Sequence, residues 1–78
     1  MNNQQKAIIE DFKKDILLND LKPNYQQGYL EYECYYLTGM KIKRISRIIE
    51  QHNGAFSIKT CEGKGTMNIS IYTEEQLA

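Results

Sequence analysis

The chain has no tryptophan, one proline, one histidine, two cysteines and no net charge, ten Lys plus Arg standing against ten Asp plus Glu. Each scarcity removes a class of function. A single histidine, His52, excludes a histidine-rich metal site and is the one residue around which a Ser/His/Asp triad would have to be built. Cys34 and Cys61 form no Cys-x-x-Cys pair and no disulfide framework, so both are expected to be reduced, small apolar residues. Neutrality removes the global field that holds a polyanion, which argues against nucleic acid as a partner. No run approaches the roughly 18 apolar residues of a membrane span. The start, Met1-Asn2-Asn3-Gln4-Gln5, lacks the basic and apolar regions of a signal peptide. The expectation is a cytoplasmic protein with no membrane partner.

What is present suits a folded chain: 41% hydrophobic and 26% charged residues over 78 positions. That length allows one small domain, 1–78, with a marginal core and no room for a large catalytic cleft. Ile8, Ile9, Phe12 and Ile16 recur at helical spacing, and Leu17, Leu18 and Leu21 widen the stripe, predicting an amphipathic helix from Gln4 to Leu21. Pro23, Asn24 and Gly28 then read as a turn. Tyr29 to Leu37 alternates, with Leu30, Tyr32, Cys34 and Tyr36 on one face of a strand and Tyr29, Glu31, Glu33 and Tyr35 on the other. From Met40 to Asn53 the helical period returns, with Ile42, Ile45, Ile48 and Ile49 on one side, Lys43, Arg44 and Arg47 opposite, and Gly54 as the stop. Phe56, Ile58 and Thr60, the loop Glu62-Gly63-Lys64-Gly65, and Met67, Ile69 and Ile71 read as a hairpin. The expected fold is α+β: a two-layer α/β sandwich in the order α-β-α-β-β, with two helices on one face of a three-stranded sheet.

The run from Gly39 to Gly54, followed by Ala55 to Tyr72 with its Gly63-Lys64-Gly65-Thr66 turn, resembles the C-terminal part of a sensor histidine-kinase ATPase domain. That family, the GHKL or Bergerat-fold ATPases, has a glycine-box helix, a His-Gly-Gly-like end, a strand, a Gly-Lys-Gly-Thr turn and a last strand. Upstream, Ile16-Leu17-Leu18-Asn19-Asp20-Leu21-Lys22 is similar to the family's N box, with Asn19 on the Asn that coordinates magnesium. The resemblance implies nucleotide contacts at Asn19, Gly39 and Lys41.

The departures weigh against catalysis. Leu37 stands where the family's adenine-reading Asp would be, and leucine accepts no hydrogen bond. Lys41 replaces a glycine that lets backbone approach phosphate. The nucleotide lid between the two glycine boxes is missing. The general-base Glu before the N-box Asn is missing as well. The resemblance therefore implies a trimmed, truncated Bergerat-like scaffold with no catalytic residues, no metal site and no resident cofactor, ATP with magnesium remaining only as an alternative.

Two faces remain as binding candidates. Lys43, Arg44 and Arg47, with Lys41, crowd one helix, and the half from Thr38 onward carries about +2 against −2 for the first half, which suits an acidic partner. Tyr29, Glu31, Glu33 and Tyr35, with Tyr72, form a tyrosine-and-glutamate surface on the sheet. The expected function is a non-catalytic protein-binding module, a small stoichiometric inhibitor or adaptor of the size carried by phage and other mobile elements. Its partner is a protein, and a sheet edge or the open sheet face could hold a second copy. The alternatives are a minimal ATP or ADP binder and a nucleic-acid binder using the basic helix.

Overall fold

The first helix starts where the sequence supplies a reciprocal cap. The Asn2 side chain accepts from the Gln5 N–H at 2.8 Å, and Gln5 Oε1 accepts from the Asn2 N–H at 2.9 Å, so two free donors are satisfied. In this computed structural model, which describes residues 1–26 and 28–77, helix α1 spans Asn3–Lys14 and buries Ile8, Ile9 and Phe12. The helix does not continue to Leu21. Asp15 leaves the helical region (φ −85°, ψ 128°) because its own groups capture the backbone ahead. Its carboxylate accepts from Leu17 N–H at 2.8 Å and its carbonyl from Asn19 N–H at 2.9 Å. The resulting turn buries Leu18 and leaves Ile16 79% exposed, so Ile16 is not part of the buried stripe.

The segment read as a turn contains a strand, β1 (Lys22–Gln26). It pairs antiparallel with β2 (Tyr29–Cys34), Pro23 facing Tyr32. β1 lies at a sheet edge, the position where a residue lacking an N–H is tolerated. Gln27, inside the expected turn, and Ala78 lie outside the described residues. β2 is shorter than its alternation suggests. It ends at Cys34, so Tyr36 is exposed rather than on the core face, and Tyr35 is beyond the strand.

Thr38 opens α2 (Gly39–Gln51), its Oγ1 accepting from Lys41 N–H at 3.1 Å. Ile45, Ile48 and Ile49 are buried, whereas Ile42 near the helix start is not. β3 (Ala55–Cys61) and β4 (Thr66–Tyr72) form the expected hairpin, reversed by Gly63 and Gly65 at positive φ. A short helix, α3 (Glu74–Leu77), follows.

The sheet is four-stranded and antiparallel, in the order β1-β2-β4-β3, rather than three-stranded. The element order among the described residues is accordingly α-β-β-α-β-β-α. Register places Leu30, Tyr32 and Cys34 beside Ile71, Ile69 and Met67. These residues meet α1 and α2 in one core, where Phe12 stacks on Tyr32 at 4.6 Å between ring centroids. The opposite face carries the alternate, mostly polar residues: Asn24, Glu31, Ser70 and Ser57 in one row, and Lys22, Glu33, Asn68 and Lys59 in the next.

Candidate functional site: a basic cleft beside helix α2

The break at Asp15 brings two distant segments together. Ile16 and Leu17, at the start of the turn, lie against the outer side of α2 and form with Met40, Lys43, Arg44 and Arg47 a largely apolar cleft of about 400 Å³. Ile16 and Met40 are 79% and 68% exposed, unusual values for large apolar side chains that adjoin one another. The cations follow from helix geometry: Met40, Lys43, Arg44 and Arg47 fall at i, i+3, i+4 and i+7, one stripe of α2. Arg44 forms an ion pair, its Nε 3.2 Å from Asp15 Oδ2 without the alignment of a hydrogen bond. That carboxylate is only 11% exposed, so the ion pair fixes the turn against the helix as well as balancing one charge. Lys43 and Arg47 have no ion-pair partner among the described residues.

Sequence reasoning found Lys43, Arg44 and Arg47 and missed the apolar half of the cleft. Met40 was legible in the same stripe. Ile16 was hidden because helical periodicity assigned it to the core.

The tyrosine-and-glutamate surface is present in part. Tyr29 meets Tyr72 edge to face at 6.1 Å, with Glu31 half-buried and Glu33 exposed on the same side of β2. Tyr35 is not part of it. With β2 ending at Cys34, Tyr35 instead lines a second cavity, of about 580 Å³, together with Tyr36, Lys41, Lys22, Asp20 and Glu33.

The residues implied as nucleotide contacts do not all line that second cavity. Lys41 lines that second cavity, but neither Asn19 nor Gly39 does. Asn19 is exposed in the turn after α1 rather than on a helix, and Gly39 is the exposed first residue of α2. The N–H of Lys41, a donor that a helix start would offer to phosphate, is engaged by Thr38 Oγ1.

Among the described residues no group of three or more His, Cys, Asp or Glu is placed to hold a metal. His52 caps α2 and binds Asp11 Oδ2 through Nε2 at 2.7 Å, joining the two helices. Cys34 and Cys61 are both free thiols, and burial raises the pKa of Cys34. No described helix is long and apolar enough to cross a membrane. No protein-family model, curated protein or solved structure matches the chain.

Proposed function

We propose that this chain is a non-catalytic protein-binding module, a small cytoplasmic inhibitor or adaptor, which seats an acidic, apolar-anchored segment of a partner protein in the cleft beside α2. The observation that carries this is the juxtaposition of exposed Ile16 and Met40 with Lys43 and Arg47, two cations that have no ion-pair partner among the described residues. An apolar anchor removes Ile16 and Met40 from water, while carboxylates one helical turn apart match Lys43 and Arg47. Nucleic acid fits less well: the cleft floor is apolar, Arg44 is already paired, and the chain as a whole is neutral.

The scaffold is proposed to be a trimmed relative of the GHKL ATPases. Supporting this, α2, its His52 to Gly54 end, β3, the Gly63-Lys64-Gly65-Thr66 turn and β4 follow one another in the order the resemblance implies.

A photoreactive benzoylphenylalanine in place of Met40, used in the source cells, tests the cleft. The expected product is a discrete crosslinked protein, lost when Lys43→Glu and Arg47→Glu are added and the far-ultraviolet circular dichroism is unchanged. Crosslinks to nucleic acid or lipid, or capture indifferent to charge reversal, overturn the proposal. Titration with ATP and Mg2+ separates the nucleotide reading: amide shifts centred on Asn19, Gly39 and Lys41 would replace protein binding with a minimal nucleotide binder.

A further inference from the structure

The two edges of the sheet are built differently. β1 is five residues long and contains Pro23, which has no N–H to offer, and Tyr25 Oη donates to Gln5 Oε1 of α1 at 3.3 Å. Such a strand is poorly suited to accept a neighbour. β3 has none of these devices. It is seven residues long, without proline, glycine or an acidic side chain, and Lys59 is its one charge. Ile58 is 36% exposed, and Ile42 of α2, on the same side of the sheet, is 37% exposed. A strand with unpaired backbone groups and an apolar flank is a template for another strand.

We propose that two copies of this chain pair antiparallel through β3 about a two-fold axis normal to the sheet, joining their sheets into one of eight strands. A two-fold contact is self-complementary, and facing residues in antiparallel strands must point to the same side, which restricts the register. Centred on Lys59, it would set two ammonium groups opposite each other. Centred on Ser57, it would run past Ala55 into Gly54 and Asn53, and Asn53 has φ 55°, which is not extended. Centred on Ile58, all of β3 is used: Ile58 faces its own copy, Lys59 faces Ser57, Thr60 faces Phe56, and Cys61 faces Ala55. No like charges meet, and each ammonium faces a hydroxyl acceptor.

The open sheet face is the poorer route to a dimer, because its central rows carry polar and charged side chains, so pairing there removes little apolar surface from water. Pairing at β3 leaves both helical layers on one side of the joint sheet, so the two clefts face the same way. The contact is at the small end of specific interfaces, and the dimer is expected at micromolar to sub-millimolar concentration.

Sedimentation equilibrium of the full chain from 10 µM to 1 mM tests this. The expected mass rises from about 9 towards about 18 kDa, and Ile58→Lys, which changes a partly exposed side chain and sets two ammonium groups at the axis, weakens dimerisation at least tenfold with unchanged circular dichroism. In a Cys61→Ser background, Ile58→Cys should form a disulfide-linked dimer with oxidised glutathione, since facing Cα atoms in antiparallel strands lie within disulfide reach. A wild-type chain that stays monomeric to 1 mM overturns the proposal. So does a dimer untouched by Ile58→Lys but lost in Tyr29→Glu or Met40→Glu, which would place the contact on the open face or in the cleft.

Discussion

Gly54 offers a sharp test of how α2 is joined to the sheet. The helix ends in a Schellman arrangement: Gly54 N–H donates to Ile49 O at 3.0 Å, Asn53 N–H donates to Glu50 O at 3.0 Å, and the left-handed residue is Asn53, with φ 55°. The glycine is therefore one position later than the conformational demand. Its reason is space. A Cβ at position 54 would stand 2.6 Å from the Tyr72 carbonyl oxygen and 3.2 Å from Ile49 Cγ2. The carbonyl belongs to β4 next to its pairing with Ala55 and cannot swing away cheaply. Overpacking of this kind costs about 1–3 kcal/mol. The stiffer unfolded chain of Gly54→Ala returns about 0.4–1 kcal/mol, leaving a net loss of about 1–2 kcal/mol. At about 4–8 °C per kcal/mol for a domain of this size, Tm should fall by roughly 5–15 °C. Asn53→Gly should lie within about 0.5 kcal/mol of wild type, because relief of the left-handed conformation offsets the added chain entropy. Urea unfolding followed by circular dichroism measures both. A Gly54→Ala variant as stable as wild type would refute the close approach of helix end and β4.

Other expectations follow from the core. Tyr32 Oη is buried without a hydrogen-bond partner among the described residues, so Tyr32→Phe should be neutral or stabilising by up to about 1 kcal/mol in urea unfolding, and a loss above about 1 kcal/mol would mean that the hydroxyl is satisfied. Burial raises both the Cys34 thiol and the Tyr32 phenol. Both protonated forms are favoured in the folded chain, so their contribution is complete below the unfolded values and declines as pH rises through about 8.5 and then about 10. The urea midpoint should fall over that range, with the upper part flattened in Tyr32→Phe; an unchanged slope would contradict the assignment. Cys61 should react with iodoacetamide at pH 8 faster than the buried Cys34, as read by mass spectrometry of the peptides. A double-mutant cycle with Asp11→Ala and His52→Ala should give a coupling of roughly 0.5–1 kcal/mol, and zero coupling would remove the 2.7 Å contact as a link between the helices.

The α2 and hairpin half of the fold was legible because its signals agree. Isoleucines at helical spacing, a stop at Asn53 and Gly54, and two alternating runs around a glycine loop leave one reading, and the structure has those elements within one or two residues. The first half was less legible because periodicity and local chemistry conflict. Ile16, Leu17, Leu18 and Leu21 continue a helical pattern on paper, yet Asp15 supplies two acceptors that hold the next turn apart from α1. Pro23 was read as the end of structure when it marks an edge strand. An edge strand needs alternation on one side only, and Lys22-Pro-Asn-Tyr-Gln26 has too little apolar content to announce it.

The same residue accounts for what was hidden in the site. If α1 continued through Asp15, Ile16 would face the core, and the basic stripe of α2 would be an ordinary solvated helix face. Because Asp15 ends the helix, it turns Ile16 outward. Because its carboxylate also pairs with Arg44, it fixes Ile16 and Leu17 against the stripe at Met40, Lys43 and Arg47. One aspartate thus frees the chain for β1 and assembles the cleft, joining the strand count and the binding surface in a single local event. The sequence shows the cations plainly, since their spacing along one helix is enough. It does not show their apolar neighbour, whose placement depends on a competition between a side-chain cap and a helical hydrogen bond that periodicity does not register.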